Sequence, residues 1–254
     1  MAYDMCVFQN STPCVGGYAL RVPRYYPPIP EWTVRVKMAT TDGPGPKKSG
    51  ATVTRLYDDE EIYDVTYANA DWTGLFDNHE SPSTHRIAEV LGSNTSEVTS
   101  MYSLFDDQLA LTSVTGLTTE NVTNMMEMFV SCSALTTVDL FDTSNVTRVD
   151  SMFSGCTSLT TSPLFNTSKV TSMAQFFYGC RSLTYIPLFA TQKVIAISWA
   201  FYNCRRVTYG AYALYRQASR QTTPPTAHAG AFRACGVDTS SGRTELDAIP
   251  SDWK

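Results

Sequence analysis

The stretch from Asn121 to Phe141, NVTNMMEMFVSCSALTTVDLF, decides the fold because it returns 24 residues later as NVTRVDSMFSGCTSLTTSPLF, from Asn145 to Phe165. Two further copies follow at the same offset. A fixed period of this length is typical of repeat proteins, in which each unit buries its apolar face only against its neighbours. The aligned positions form the predicted repeat core: Val122, Phe129, Cys132, Leu135, Val146, Phe153, Cys156, Leu159, Val170, Phe177, Cys180, Leu183, Val194, Phe201 and Cys204.

A single repeat also predicts its own secondary structure. Ser151 to Ser154 is expected to form one helical turn, which Gly155 ends because glycine readily adopts a positive φ. Thr160 to Phe165 is expected to be a strand that pairs in parallel with its copies in neighbouring repeats. We therefore expect an α+β fold, a solenoid of 24-residue units built from parallel strands and short helical turns, over residues 87–236.

The first segment of the chain, residues 1–31, predicts an extended N-terminal arm. Pro23, Pro27, Pro28 and Pro30 interrupt it, and proline-rich segments favour extended, semi-rigid chain. Its aromatic content is higher than a plain flexible tail needs, which favours docking onto another molecule. The predicted docking residues are Tyr3, Phe8, Tyr18, Tyr25 and Tyr26.

Residues 32–86 predict a small β module followed by a connector. Val34, Val36 and Met38 alternate with polar residues, the two-residue period of a strand. Two more candidate strands, at 51–57 and 62–67, are rich in β-branched and aromatic residues. After the repeats, residues 211–219 predict a helix, and residues 237–254 are expected to form a C-terminal cap.

Composition excludes several classes of partner. The net charge is −5, whereas binding to nucleic acid or to an anionic membrane needs a basic surface. No stretch approaches the roughly 20 apolar residues that span a bilayer, so no membrane insertion is expected. Residues 1–10 lack the basic start and apolar region of a secretory signal.

The chain has seven cysteines, four of which recur with the repeat. Stacked units would hold those four thiols inward, with their β-carbons too far apart for a relaxed disulfide. We expect small buried apolar side chains at these positions. Cys6 and Cys14 could pair with each other, but nothing in the sequence requires it. The clustered spacing that zinc needs does not occur, so no metal is expected.

No motif for catalysis or cofactor binding is present. His79, His85 and His228 lie in connectors, away from any nucleophile or metal-ligand spacing. The chain has no phosphate-binding loop, dinucleotide fingerprint, zinc-protease motif or nucleophile elbow. We therefore expect a protein that is not an enzyme, with no catalytic residues and no cofactor.

The repeat resembles the BspA-like class of leucine-rich repeats. The resemblance rests on Asn121-Val-Thr-Asn-Met, on the Phe129-x-x-Cys132 spacing, and on the run from Leu135 to Thr147, and it covers residues 87–236. It implies a right-handed leucine-rich-repeat solenoid and a role in adhesion and host contact. Such repeats occur in bacterial surface proteins, mycoplasma lipoproteins and proteins encoded by phages.

The flanking segments are similar to those of accessory virion proteins of phages, an analogy that does not fix function. We expect a non-enzymatic virion component, such as a head or tail fibre, a decoration protein or a baseplate accessory. The arm would join other virion proteins, and the repeats would contact a bacterial surface protein or glycan. The protein would be oligomeric in its assembly. The alternative is a leucine-rich-repeat adhesin of the bacterial cell surface.

Overall fold

The structure is a computed structural model, and it describes residues 26–39, 43–44, 49–57, 61–77 and 86–254. These residues contain a mixed sheet of six strands and two short α-helices. The strands are β1 Thr33–Met38, β2 Thr52–Arg55, β3 Ile62–Thr66, β4 Ile87–Asn94, β5 Ser113–Val114 and β6 Thr137–Val138. The helices are α1 Ala211–Ser219 and α2 Ser240–Asp247, followed by a 3-10 turn at Ser251–Trp253.

The sheet has the strand order β2-β3-β1-β4-β5-β6. Strand β1 pairs antiparallel with both β3 and β4, and β5 and β6 then join in parallel. The three strands predicted between residues 32 and 67 are confirmed, and so is the helix at 211–219. The division of the chain at residue 86 stays a prediction.

A buried ion pair ties the start of the described chain to this sheet. The Arg35 Nε donates to Asp64 Oδ1 at 2.7 Å, and its Nη2 donates to Asp64 Oδ2 at 2.8 Å. The remaining Arg35 Nη1 donates to the Pro27 carbonyl at 2.8 Å. Both side chains are nearly inaccessible, so the paired geometry is what makes their burial tolerable.

The predicted fold class is wrong. The described residues form the mixed sheet and the two short helices above, and not a leucine-rich-repeat solenoid with a strand and a helical turn in every unit. Residues 160–165 are not a strand, and Ser151 to Ser154 form turns without a helix. One physical reason lies in the strand segment itself, because Pro163 has no amide hydrogen to donate to a neighbouring strand.

The turns fail to become helical because each repeat contains two residues with positive φ, four positions apart. A residue with a left-handed backbone conformation cannot continue a right-handed helix. Most of the residues at these positions are not glycine. The pairs are Ser103 and Asp107, Glu127 and Ser131, Ser151 and Gly155, Gln175 and Gly179, Trp199 and Asn203, and Gly230 and Ala234.

These turns hold neighbouring repeats together through alternate amides. The amides of Glu127 and Phe129 donate to carbonyls of the next repeat, each at 2.9 Å. The amides of Met128 and Val130 instead bond three residues back, to Met125 and Glu127. Single-residue parallel bridges, such as Asn124 with Arg148, add to this connection. The repeats therefore stack in register, although few of their residues belong to strands.

A column of phenylalanine rings runs through the centre of the stack. Neighbouring ring centroids lie between 5.1 Å and 5.7 Å apart, with planes within 14° of parallel. Trp253, from the 3-10 turn, closes the column at 6.4 Å from the last phenylalanine ring. The rings belong to Phe76, Phe105, Phe129, Phe153, Phe177, Phe201 and Phe232.

Candidate binding surface

The predicted repeat-core residues lie inside the stack and position its surface, without forming part of it. Each of these residues, from Val122 to Cys204, is at most 1% exposed. Of the predicted docking residues, Tyr3, Phe8, Tyr18 and Tyr25 lie outside the described residues. The Tyr26 ring packs edge-on against Tyr57, with centroids 5.8 Å apart.

The buried cysteines act as hydrogen-bond donors between layers. The thiols of Cys132, Cys156, Cys180 and Cys204 each donate to the carbonyl of a core phenylalanine in the preceding repeat, at 3.0 to 3.1 Å. Burial raises the pKa of each of these thiols far above its usual range. They stay protonated at neutral pH, so their role is structural and they do not serve as nucleophiles.

Gln108 takes the place of cysteine in the first repeat and makes the equivalent bond. Its Nε2 donates to the Phe76 carbonyl at 2.7 Å. Its Oε1 accepts from the Ile87 amide at 2.9 Å, which fastens the start of β4. The longer amide side chain therefore bonds both the Phe76 carbonyl and the Ile87 amide, whereas the shorter cysteine thiol could not reach both.

Two largely exposed threonine ladders follow the stack, and most of their hydroxyls donate to a backbone carbonyl. One ladder is Thr99, Thr123, Thr147 and Thr171, and the other is Thr112, Thr136, Thr160, Thr184 and Thr208. The amide and the Oγ1 of Thr123 both donate to the Thr99 carbonyl, at 2.9 Å and 3.2 Å. Thr208 does the same with the Thr184 carbonyl, at 2.9 Å for both donors. The ladders thus offer a ligand methyl groups and acceptor lone pairs, but few free donors.

Three aromatic residues of the later repeats form a surface group that we call the aromatic platform: Tyr178, Trp199 and Tyr202. The Tyr178 and Tyr202 rings stack at 4.8 Å with planes 16° apart. The Trp199 ring meets Tyr202 edge-on at 5.3 Å. Tyr178 is 36% exposed, and the other two are half-buried.

Backbone geometry positions this platform. Trp199 occupies one of the left-handed positions, with φ 60°. Its ring lies over Gly230 of the next layer so closely that a β-carbon there would come within 2.7 Å of the indole. Glycine at 230 is therefore what allows the indole to lie flat against the following repeat.

Charge is divided sharply along the stack. Residues 151–237 contain no Asp or Glu and eight Lys or Arg, whereas residues 97–150 contain eight Asp or Glu and a single Arg. The aromatic platform lies within the basic half. The overall charge of −5 conceals this division. The basic residues are Lys169, Arg181, Lys193, Arg205, Arg206, Arg216, Arg220 and Arg233.

Several other kinds of site have no counterpart in the described chain. Among the described residues, no three His, Cys, Asp or Glu side chains lie together as metal ligands would. None of the described helices has both the length and the apolar character needed to cross a bilayer.

Comparison with known protein families gives a match that covers most of these repeats. Residues 71–184 and, overlapping them, residues 99–212 match the family described as "Mycoplasma protein of unknown function, DUF285". Together these stretches cover more than half of the chain. The chain belongs to this DUF285 family, which is related to BspA-like repeat proteins. No curated protein and no solved structure gives a significant match.

Proposed function

We propose that the chain is a non-enzymatic adhesion protein that binds a glycan of a bacterial surface through the aromatic platform. The observation that carries this proposal is the partly exposed stack of Tyr178 on Tyr202, with Trp199 edge-on to Tyr202. The apolar C–H face of a sugar ring packs well on an aromatic ring, whose face is electron-rich. Tyrosine and tryptophan also lose little conformational entropy on binding, because each has only two side-chain torsions.

The surroundings of the platform support binding over hydrolysis. Glycoside hydrolysis normally uses a pair of carboxylates on either side of the bond that breaks. Residues 151–237 contain no carboxylate side chain, so the platform's own repeats have no such pair. They do supply arginines, among them Arg181 and Arg233, which can donate to sugar hydroxyls or to acidic groups on a glycan.

The place of this protein in an assembly is a separate proposal that rests on the sequence. We propose attachment to other virion proteins of a phage through residues 1–31, with the repeats facing the bacterial surface. The alternative is a bacterial cell-surface adhesin. Mass spectrometry of purified phage particles and of cell-envelope fractions separates the two, since each proposal requires the protein in one fraction.

Tyr178→Ala tests the glycan proposal. We expect at least a tenfold weaker affinity for the bacterial surface polysaccharide, because a central aromatic anchor typically contributes about 1.4 kcal/mol or more. Binding is measured by calorimetry or on a glycan array. Tyr209→Ala is the matched control, since Tyr209 is also exposed and packs on another tyrosine, Tyr185, at 4.9 Å. Equal losses in both variants would contradict the proposal.

A further inference from the structure

Three leucines on another part of the repeat form an exposed apolar line, which we call the leucine stripe: Leu140, Leu164 and Leu188. They are 69%, 61% and 52% exposed. They occupy the same position in three consecutive repeats, and each precedes a phenylalanine that is buried. The inward Phe141 and Phe165 rings pack together at a tilt, with centroids 5.1 Å apart, and the leucines before them lie at equivalent positions of neighbouring repeats.

The core does not require leucine at these outward positions. Neighbouring outward positions change from repeat to repeat, such as Asp142, Asn166 and Ala190, while leucine remains at all three positions of the stripe. Large apolar side chains aligned on an otherwise hydroxyl-rich surface are typical of a contact site.

Charges of opposite sign lie at the two ends of the leucine stripe. Asp139 and Asp142 flank Leu140, and both are exposed. Lys169 and Lys193 follow Leu164 and Leu188 by five residues each, and both are exposed. The Lys169 Nζ donates to Asn145 Oδ1 at 2.7 Å, which shows that a lysine here reaches back across one repeat.

We propose that the leucine stripe binds the leucine stripe of a second copy of this chain, with the two stacks antiparallel and a two-fold axis at Leu164. Leu140 of each copy then meets Leu188 of the other, as a self-complementary interface requires. The antiparallel direction brings the acidic end of each stripe against the basic end of the other. A parallel pair would place acid against acid and lysine against lysine.

The leucines and the charges have different roles in this interface. Exposed ion pairs contribute little to affinity, so burial of the leucines holds the copies together. The charges decide orientation, because juxtaposed like charges disfavour the parallel pair. An interface this narrow is smaller than those of permanent dimers, so the dimer forms and dissociates with protein concentration.

Sedimentation velocity of the full chain, from low to high micromolar concentration, tests the self-association. The unmodified chain is expected to shift from monomer to dimer, and Leu164→Arg is expected to remain a monomer because two arginines would meet at the axis. Ile195→Arg is the matched control, since Ile195 is 64% exposed but lies outside the stripe, and it should dimerise normally. A monomer at every concentration for the unmodified chain, or equal loss in both variants, overturns the proposal.

Orientation is tested with charge reversal in the same assay. Lys193→Glu sets a glutamate against Asp139 of the other copy at both ends of the interface, so dimerisation is expected to weaken severalfold at low salt. Adding Asp139→Lys to the same chain is expected to restore it. High salt should reduce the difference between these variants, because it screens exposed charges. A dimer that ignores the Lys193 charge, or a double variant weaker than the single one, overturns the antiparallel arrangement.

Discussion

At the scale of single residues, the buried thiols explain why cysteine recurs in the repeat. The site is fully buried and suits a small apolar side chain, yet the phenylalanine carbonyl of the preceding layer needs a donor. A thiol meets both needs, since it behaves as a small hydrophobic group with a weak S–H donor. Gln108 shows that the donor matters, because an amide replaces the thiol where a strand end must also be satisfied.

Stability should therefore fall at alkaline pH. Burial raises the pKa of Cys132, Cys156, Cys180, Cys204 and Cys235 in the folded state, whereas free thiols ionise near about 8.5. Above that pH the unfolded chain loses protons that the folded chain keeps, so the free energy of unfolding decreases as pH rises.

Urea denaturation at pH values between about 7 and 9.5 measures this slope. Cys156→Ala removes one titrating thiol and should show a shallower slope than the unmodified chain. A free energy of unfolding that is flat or rising across the interval would contradict the inferred protonation state.

At the scale of elements, the turn of each repeat shows what local sequence could and could not predict. The 24-residue period, the strands of the N-terminal module and helix α1 were all predictable from apolar spacing and residue type. The left-handed geometry of the turn was not, because Glu127, Gln175 and Trp199 are not residues that typically take a positive φ. Contacts with the next layer impose that geometry, and a single repeat contains no sign of them.

The aromatic platform, our proposed binding surface, was harder to predict for a related reason. Tyr178 and Tyr202 occupy a position that holds Val130 and Ser154 in earlier repeats, and that variability is the signal that the position faces outward. From the sequence alone, an aromatic residue at an outward position cannot be distinguished from one in the core. The division of charge, by contrast, could be read directly from the sequence once the chain was split at residue 150.

Gly155→Ala and Gly179→Ala form a matched test of the turn geometry. Both glycines have positive φ, 77° and 72°, so each substitution should cost about 1 kcal/mol in backbone strain. A β-carbon at 155 would also lie 3.3 Å from the Ser131 Cα, whereas one at 179 meets nothing within 4 Å. We expect Gly155→Ala to be the more destabilising in chemical denaturation, and the reverse order would contradict the described packing.

At the scale of the whole molecule, the C-terminal turn closes the phenylalanine column. Trp253 is buried and lies next to Phe232, whose amide donates to the Trp253 carbonyl at 3.0 Å. His228 stacks on the same indole at 4.4 Å. Trp253 thus covers the Phe232 ring and also accepts the hydrogen bond of the Phe232 amide, which in earlier repeats goes to the next repeat.

Trp253→Ala should destabilise the protein by roughly 3–5 kcal/mol, because it removes a large buried ring and uncovers the end of the column. Thermal unfolding of the variant measures the loss. Asp252→Ala is the control, since Asp252 is exposed and contributes only a backbone carbonyl to the contact with His228. A loss below about 1 kcal/mol for Trp253→Ala would mean that this turn does not seal the stack.

The register of the layers has a consequence for inheritance. Each layer offers the next one the same donors, acceptors and ring face, as in the bonds from Thr123 to Thr99 and from Thr147 to Thr123. If unequal recombination duplicated a block of 24 residues, the donors and acceptors of the new repeat would therefore match those of the repeats on both sides. Each such copy would lengthen the protein by about 4.8 Å, the spacing of hydrogen-bonded strands. The length of the stack can therefore change by one repeat at a time during evolution, while the sequences before and after the repeats stay the same.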